Sequence, residues 1–425
     1  MVFTPSGSYV MVGFSSYLLA RYSDQLPPRG VLIVECEEVI RRRRVRERAE
    51  RVGCVGEVVS FEIQSRGGVQ QFLRDFVSEG VQVVIPGVEY GVPGAALLAN
   101  KLGLPGLGQR AAWALRDKFT LRTECARSGI KQPPFSLCES EDDARRFFSQ
   151  HGPCVIKPTL RQGSMGVTVV GHPAQIQPAF HQASSVEEKA RSLLADPDSV
   201  LVEGFAQGEE VSVEAFVKDG SISFFNVTEK SVFGGPFPVE QGHVVPAPVG
   251  DRVFGSLYRS MERLVSALQI ETGVLHAEWI LEDDGPTLVE CAGRPPGDRI
   301  TELIDLAYDM DFFQAFLDIH SGLTPRFPNT PVQAAAVEFL GPQHPATSFV
   351  GVDLARSMEG VHSVEMDVRP GGYLQPVRHV EDRAGSVIAV APTPEKARAR
   401  ARAAGAAIQF LDTSPTLAER GKGFS

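Results

Sequence analysis

The sequence predicts a mixed fold, with an α/β unit at the N-terminus and α+β structure after it. Short apolar runs rich in Val and Ile alternate with helix-like stretches over residues 1–105. Beyond residue 150, strand–turn–strand patterns replace this alternation. Hydrophobic residues make up 43% of the chain and charged residues 22%, which is ordinary for a globular protein with a sizeable core.

The N-terminal unit is expected to contain a parallel sheet. Its apolar runs are short, continuous and β-branched, which is typical of strands covered on both faces. The four predicted strands are residues 9–14, 31–35, 57–63 and 81–87. The first strand leads into "GFSS" and not into G-x-G-x-x-G, so a dinucleotide site at this turn is poorly supported.

The stretch "GLPGLG" at residues 103–108 interrupts the pattern and predicts the first domain boundary. Helical patterns follow at residues 111–128 and again at 184–195. Between them, "CVIKPTLRQGSMGVTVV" predicts a strand, a loop with Gly and Ser, and a second strand. We predict four regions from these changes of pattern. They span residues 1–105, 106–200, 201–325 and 326–425.

The third region begins with "VLVEGFAQGEEVSVEAFV", which predicts a strand, a turn and a second, alternating strand. Residues 233–250 are rich in Gly and Pro and are expected to form a loop. An amphipathic helix is predicted over residues 251–269. The fourth region mixes strands and helices and includes an Ala/Arg helix from residue 394.

A predicted hairpin at residues 274–292 carries two carboxylates where apolar side chains would be expected. "DDGP" provides the turn, and a hairpin centred there places Glu278 opposite Glu290. Like charges directly opposite each other are destabilising, so a cation between them would explain the pattern. Mg²⁺ binds through carboxylate oxygens together with phosphates and waters. The alternative is that one glutamate points to solvent on an edge strand.

Composition excludes several classes of function. The net charge of −10 gives no general attraction to nucleic acid or to an anionic membrane. The basic run at residues 41–48 is interleaved with acidic residues and is expected to be a solvated helix face. Six scattered cysteines without C-x-x-C spacing favour buried thiols in a reducing compartment, and we expect a cytoplasmic protein. Neither a secretory signal nor a membrane span is predicted.

Two lysines and two glutamates have the spacing of a nucleotide site. Lys157 ends an apolar strand just before a small-residue loop, whose N–H groups can approach phosphate oxygens. The alternative interpretation of Lys157 is a solvated lysine at the end of a strand. Lys118 is weaker evidence for a phosphate site, because helices often carry lysines. Glu203 ends another strand, and Glu210 follows across a glycine turn. Such carboxylates could contact adenine and ribose.

Taken in order, these elements resemble the ATP-grasp superfamily, from Lys118 through "VIKP", "VEGFAQGEE" and the two strand glutamates to Arg294. The resemblance implies a Rossmann-like N-terminal domain, a small lid subdomain and a C-terminal catalytic domain. It implies the following nucleotide contacts. They are Lys118, Lys157 and Ser164 for phosphates, residues Glu203 and Phe205 for adenine, and Glu210 for ribose.

The same resemblance implies that Glu278 and Glu290 bind Mg²⁺, with Mn²⁺ as an alternative ion. One position departs from the pattern. The last strand of the family commonly reads Glu-x-Asn-x-Arg, and this chain has "ECAGR", so Ala292 replaces a metal-binding Asn. Either one metal is held by water and phosphate, or a nearby group such as Asp298 takes the place of the Asn. A catalytically dead relative that only binds ATP is a further alternative.

Within the superfamily, "FPVEQGHVVPAP", "HAEW" and "GRPPGDRI" resemble the L-amino-acid ligase group. That resemblance implies that Glu240 and His243 line an amino-acid pocket and that Arg294 holds carboxylate or phosphoryl oxygens. His276 is expected to bind substrate or to support Glu278, and Arg299 to bind substrate. For His243, a backbone hydrogen bond within the loop is the alternative.

The implied reaction is ATP-dependent amide or peptide bond formation through an acyl phosphate, with amino-acid or small peptide substrates. ATP and Mg²⁺ are the expected cofactors, and a small carboxylate and an amine the expected partners. A homodimer is compatible with the sequence. Glu240, His243 and Arg294 are the expected catalytic residues, with Glu240 or His243 as the base. The alternatives are a carboxylase that works through carboxyphosphate and a non-catalytic ATP-binding regulator.

Overall fold

The structure of the protein is a computed structural model that describes five ranges of the chain. These ranges are residues 8–76, 79–186, 190–233, 239–368 and 372–412. In this described part the strands form four sheets, one parallel and three antiparallel. The mixed α/β and α+β class that the sequence predicts is therefore confirmed.

The N-terminal sheet is parallel, as predicted. Its strands are β1 (Tyr9–Val12), β2 (Val31–Glu35), β3 (Val55–Ser60) and β4 (Val83–Pro86). The helices that alternate with or follow them are α1 (Ser16–Tyr22), α2 (Glu37–Arg42), α3 (Val45–Ala49), α4 (Arg66–Asp75) and α5 (Val92–Leu102). The strand order is β3-β2-β1-β4. Every residue of β2 is buried, which explains the apolar run at residues 31–34, and its last residue, Glu35, is a buried carboxylate.

A small antiparallel sheet follows, in the order β5-β8-β6-β7. Its strands are β5 (Phe135–Cys138), β6 (Cys154–Pro158), β7 (Thr168–Val170) and β8 (Val200–Gly204). The helices of this part are α6 (Gln109–Ala114), α7 (Lys118–Arg127), α8 (Glu141–His151) and α9 (Ile176–Ser185). Apolar side chains from α8 and α9 cover one face of the sheet, and residues 160–166 connect β6 to β7.

The third sheet has eight strands, in the order β13-β12-β9-β10-β11-β14-β17-β16. The strands are β9 (Glu209–Lys218), β10 (Ser221–Val232), β11 (Glu240–Val245), β12 (Gly273–Glu282), β13 (Gly285–Ala292), β14 (Ala334–Leu340), β16 (Val361–Met366) and β17 (Gly385–Ala391). The helices are α10 (Asp251–Leu268), α11 (Ile300–Tyr308), α12 (Phe312–His320) and α14 (Pro394–Ala406). This sheet contains strands from both sides of residue 325, so the predicted boundary there does not separate two sheets. The division into four regions remains a proposal.

The C-terminal part also contains a two-stranded sheet of β15 (Ser348–Val350) and β18 (Gln409–Leu411), with helix α13 (Val352–Ser357). All six cysteines are buried free thiols, which agrees with the expectation from their spacing. None of the helices in the described ranges combines the length and the hydropathy that a membrane-spanning segment requires.

Three predicted elements differ from the structure. The helix expected over residues 111–128 is two helices, because Asp117 caps a new helix by accepting a hydrogen bond from the Thr120 amide at 2.6 Å. The helix expected over residues 184–195 is wrong: α9 ends at Ser185, and the described residues 190–195 are not helical. The expected loop at residues 233–250 contains β11, which pairs with strands on both sides.

Candidate active site

Lys118 lies at the junction of three elements. It is the first residue of α7, and its backbone N–H donates to the Thr159 carbonyl at 3.1 Å. Its side chain is buried, with Nζ 2.9 Å from Glu290 Oε1 and donating to the Arg161 carbonyl at 2.5 Å. The lysine therefore connects β13, which carries Glu290, to the loop that follows β6.

A second buried ion pair joins Lys157 to Glu203. These residues lie on neighbouring strands, β6 and β8, with Lys157 Nζ 2.7 Å from Glu203 Oε2. Arg122 donates two hydrogen bonds to the same carboxylate, from Nε at 2.7 Å and from Nη2 at 3.0 Å. Burial alone would raise the pKa of Glu203, but the two cations outweigh it and lower that pKa to about 2. Burial lowers the pKa of Lys157.

Arg122 was missed by sequence reasoning, although it is almost completely buried. Besides Glu203, its guanidinium donates to the carbonyls of Leu288 and Val289 at 2.9 and 2.7 Å. It therefore fixes α7 and β8 against the strand that carries Glu290. A signal was present in the sequence: Lys118 and Arg122 are four residues apart on one helix face, where like charges repel unless anions face them.

Lys230, also missed, is the centre of a third cluster. Its Nζ lies 2.7 Å from Glu278 Oε1 and 3.9 Å from Glu240 Oε1, and it is hydrogen-bonded to Glu210. Burial alone would lower the pKa of Lys230, but Glu278 and Glu210 raise it well above its usual value. The sequence did contain a signal for Lys230, because it shares one face of its strand with two other polar residues, Asn226 and Thr228. The carboxylate expected to contact ribose, Glu210, is thus already paired with a cation.

Glu278 and Glu290 lie directly opposite each other on β12 and β13, as predicted, although a β-bulge between Glu278 and Trp279 shifts the register set by the turn by one residue to give this pairing. Their neighbour His276 contacts Glu214 at 2.9 Å and lies 3.8 Å from Glu278. Burial alone would lower the pKa of His276, but hydrogen bonds to these carboxylates raise it to about 9. The imidazole therefore lies beside Glu278 as the sequence suggests, and it is charged near neutral pH.

The donor set suits a magnesium ion that arrives with its own phosphate ligands. The described residues contain no group of three or more His, Cys, Asp or Glu side chains that could hold a metal alone. Two facing carboxylates, each now paired with an ammonium group, match the one or two carboxylates that Mg²⁺ takes beside substrate phosphates. Ala292 offers no ligand, and Asp298 is paired with Arg383 at 2.6 Å.

The loop at residues 160–166 contains three residues with positive φ, a backbone conformation that favours glycine. Gly163 and Gly166 have φ of 61° and 75°, and Ser164, which is exposed, has φ of 57°. Phe205 is exposed beyond β8, and its N–H donates to the Pro153 carbonyl at 3.0 Å. The backbone N–H of this expected adenine contact is therefore engaged, while its aromatic side chain faces solvent.

A cavity of about 910 Å³ lies at the carboxyl ends of the parallel strands. Ser15 and Gly87 line it on the N-terminal side, and Gln162 comes from the glycine-containing loop. At Gly87 a Cβ atom would meet the Gly13 carbonyl oxygen at 2.0 Å, so glycine permits the close approach of the two strand ends. This is the edge at which open α/β sheets usually bind ligands.

Three arginines line the same cavity: Arg294, Arg299 and Arg383. Arg294 follows β13, and its Nε lies 2.8 Å from Glu89, which sequence reasoning missed. Arg299 binds Glu302 at 2.8 Å and Glu365 at 2.7 Å. The structure therefore brings the predicted Arg294 and Arg299 together at one cavity, each with an acidic partner.

Glu240 and His243 lie on β11 and not in a loop, so that part of the interpretation was wrong. Glu240 also approaches Lys230, with 3.9 Å between Oε1 and Nζ, and so belongs to the cluster around that lysine. Arg383 joins Glu240 to Asp298 and packs over Phe339, with its guanidinium carbon 3.9 Å from the ring centroid. Glu240 therefore lies behind the cavity wall that Arg383 forms.

His243 is fully buried beside this wall, edge-on to Phe339. Among the described residues, neither of its ring nitrogens has a hydrogen-bond partner. The alternative interpretation of His243, a backbone hydrogen bond within a loop, is therefore not found in this part of the chain. Burial lowers the pKa of His243 to about 4 and raises the pKa of Glu240. The imidazole is consequently neutral at neutral pH.

Comparisons with known proteins agree with this arrangement. Residues 150–302 match the ATP-grasp domain, and residues 347–411 match the L-amino acid ligase C-terminal domain 2. The chain is 23% identical to alanine–anticapsin ligase of Bacillus subtilis over 271 residues, covering 59% of this chain and 56% of that protein. It is 36% identical to phosphoribosylamine–glycine ligase of Methanocella arvoryzae over 263 residues, covering 53% of this chain and 56% of that protein.

The fold comparison covers nearly the whole chain. The crystal structure of L-amino acid ligase from Bacillus licheniformis superposes with a TM-score of 0.75 at 17% identity, covering 97% of this chain and 100% of that one. By contrast, the chain spans only half to three fifths of the length of the curated relatives it matches. The two domain matches and the shared fold show what this chain is similar to, namely proteins with an ATP-grasp domain and, among them, the L-amino acid ligases.

Proposed function

We propose that the chain is an ATP-dependent carboxylate–amine ligase that forms an amide or peptide bond, with amino acids or small peptides as substrates. One observation carries the proposal: lysines paired with glutamates are connected to a cavity lined by three arginines. Lys118 holds the carbonyl of Arg161, the neighbour of the lining residue Gln162. Lys230 approaches Glu240, which pairs with the lining residue Arg383. Lysines suit phosphates as compact point charges, and the planar guanidinium can bind a carboxylate, as it can a phosphate, through two parallel hydrogen bonds. The site thus offers separate places for a triphosphate and an organic acid.

The reaction begins when a substrate carboxylate oxygen attacks the γ-phosphorus of ATP, which gives an acyl phosphate and ADP. Phosphoryl transfer needs positioning and charge stabilisation more than covalent help from the protein. Lys118 and Lys157 hold phosphate oxygens, and Arg294 orients the carboxylate. Mg²⁺, held by Glu278 and Glu290 together with the phosphates, would neutralise charge that develops on them.

The amine then attacks the acyl carbon, and phosphate leaves with one former carboxylate oxygen. The incoming ammonium must first lose a proton. Burial raises the pKa of Glu240 and so makes this carboxylate a better base than an exposed one. Neutral His243 can also accept a proton, but it lies deeper, behind Phe339. Both residues lie behind the cavity wall, but Glu240 is the direct partner of the lining residue Arg383, so Glu240 is the first candidate for the base and His243 the second.

An ADP-release screen over pairs of amino acids, with mass analysis of products, tests the proposal. We expect ADP formation that requires both an acid and an amine, together with a product whose mass equals their sum minus water. ADP formation that needs bicarbonate and no amino acid would instead indicate a carboxylase. Mg–ATP binding without ADP formation in any pair would indicate a regulatory protein.

A further inference from the structure

Residues 190–198, which precede β8, connect the N-terminal domain to the loop after β6, and we call them the tether segment. Near its end, the buried Asp198 carboxylate accepts a hydrogen bond from the Leu160 N–H at 3.1 Å. The same carboxylate lies 3.0 Å from Arg161 Nη2 and 3.2 Å from Arg191 Nη1. Asp198 thus holds both the backbone and a side chain at the start of residues 160–166.

The held residues are in contact with the phosphate lysine. The Arg161 carbonyl accepts the 2.5 Å hydrogen bond from Lys118 Nζ, and that ammonium also binds Glu290. A further bond fixes the same stretch, because the Thr159 N–H donates to the Ser199 carbonyl at 3.0 Å. A shift of Leu160 and Arg161 would therefore move an oxygen that positions the ammonium of Lys118.

The other end of the tether segment binds the N-terminal domain through Gln64, in the turn between β3 and α4. The Gln64 amide donates to the Ala190 carbonyl at 2.6 Å and accepts from the Ser192 N–H at 3.0 Å. Its own carbonyl accepts from the Asp196 N–H at 3.3 Å. Both polar ends of this mostly buried side chain are thus used on the tether segment.

From these contacts we infer that Asp198 is a positioning residue for the phosphate site. It acts through Arg161 on Lys118, and Gln64 anchors the tether segment that carries it to the N-terminal domain. This inference rests on the proposed nucleotide role of Lys118. Asp198 holds the loop at residues 160 and 161, while Gly163 and Gly166, which have positive φ, lie beyond these two residues.

The first test uses the nucleotide-free protein and does not depend on ligase activity. Because Arg161 is paired with Asp198, we expect trypsin to cleave after Arg161 only when this residue is released from Asp198. We expect Asp198→Asn to raise the rate of this cleavage on the order of 10-fold, because the variant loses a charge-assisted pair. Asp198→Glu should restore part of the protection, and Asp142→Asn, an exposed change on α8, should leave the rate unchanged. Equal rates for Asp198→Asn and Asp142→Asn would overturn the inference.

Gln64→Ala provides an independent variant if Asp198→Asn does not fold. It leaves the Asp198 carboxylate in place but removes the side-chain contacts to residues 190 and 192, so faster cleavage after Arg161 is expected here too. Combining Gln64→Ala with Asp198→Asn should give less than the product of the two rate effects, since both act through one segment. Unchanged cleavage in Gln64→Ala would show that the contacts of Gln64 with the tether segment do not help to hold Arg161 in place.

The second test measures Mg–ATP binding by calorimetry. We expect Asp198→Asn to weaken binding on the order of 10-fold, with a larger effect on the KM for ATP than on kcat. Faster cleavage with unchanged Mg–ATP affinity would overturn the positioning role. If the wild-type protein releases no ADP with any substrate pair, the proposed ligase function fails, while the cleavage rates still decide whether Asp198 holds the loop.

Discussion

Glu278 and Glu290 are directly opposite each other on neighbouring antiparallel strands, and yet each is neutralised by a different lysine. Glu290 binds Lys118 from α7, whereas Glu278 binds Lys230 from β10. The paired carboxylates are therefore tolerated without a metal, and a metal is not needed to explain the fold. In the proposed function, these carboxylates would exchange the lysines for an ion that carries nucleotide phosphates.

Replacing Glu290 with Gln should reduce ADP formation by at least about 100-fold while leaving the fold intact, because a neutral amide is a poor ligand for Mg²⁺. Circular dichroism and an ADP assay measure the two effects. Glu282→Gln is the matched control, since this residue lies in the same hairpin but binds Lys131 near its exposed turn. Near-normal turnover in Glu290→Gln would contradict the metal assignment.

Replacing Lys230 with Met should destabilise the protein by roughly 3–5 kcal/mol, since it leaves Glu210 and Glu278 without their common buried cation. Urea unfolding provides the free energy. Lys131→Met removes a lysine that is partly exposed and paired with two carboxylates, so it should cost no more than about 1 kcal/mol. Similar losses in both variants would mean that the Lys230 cluster is not buried in solution.

Replacing His243 with Ala should reduce amide formation by ~10²–10⁴ while ATP affinity stays within a few-fold of wild type, if the residue serves the amine. Uncoupled ADP release is expected to persist, because an acyl phosphate without its amine hydrolyses. His320→Ala is a matched control, since it also removes a fully buried imidazole, here on α12. Loss of ATP binding together with ligation would place His243 in the nucleotide site.

Stability should fall as the pH is lowered from about 6.5 towards 4, partly because of His320. Burial lowers the pKa of this imidazole to about 4, and the carbonyl of Phe316 only partly opposes the effect. The unfolded chain therefore binds a proton first, so the contribution is complete above pH ~6.5 and is lost on acidification. It amounts to roughly 3 kcal/mol. In His320→Leu, thermal unfolding midpoints between pH 7.5 and 4 should fall less than in the wild type. Parallel curves would contradict the shifted pKa.

The loop at residues 160–166 should become protected from proteases when Mg–ATP is added. Its positive φ angles at Gly163 and Gly166 allow the backbone N–H groups to approach phosphates, and closed loops exclude water from a reactive phosphate. Limited proteolysis with and without Mg–ATP measures the change, and cleavage elsewhere in the chain serves as the internal control. The same cleavage rate in both states would count against a closing loop.

Local sequence rules predicted the elements that depend on nearby residues. The hairpin at residues 274–292 follows from its turn, and the parallel sheet follows from short apolar runs. The pairing of Glu278 with Glu290 depends in addition on a β-bulge after Glu278, which the turn sequence does not report. The loop assigned to residues 233–250 failed because the backbone of β11 pairs with β10 and β14, and β14 lies about a hundred residues further along the chain. Glycine and proline content does not report that pairing.

The sequence analysis missed the site residues Arg122 and Lys230 for a related reason. Arg122 and Glu203 are 81 residues apart, and Lys230 and Glu278 are 48 residues apart. Each cation resembles an ordinary helix or strand residue until the fold places a carboxylate beside it. Of the residues that the ATP-grasp resemblance implies, the structure pairs Lys118 with Glu290 and Lys157 with Glu203, while Ser164 and Phe205 are exposed. These contacts could be read only from the structure.

The central claim is that a substrate carboxylate becomes an acyl phosphate, and oxygen transfer tests it most directly. An amino acid labelled with ¹⁸O in its carboxylate is incubated with Mg–ATP and the amine partner, and the released phosphate is analysed by mass spectrometry. The account predicts one labelled oxygen in the phosphate for each amide formed, with no label when the amine alone is present. Amide formed with unlabelled phosphate, or phosphate that takes its label only from ¹⁸O-bicarbonate, would contradict it.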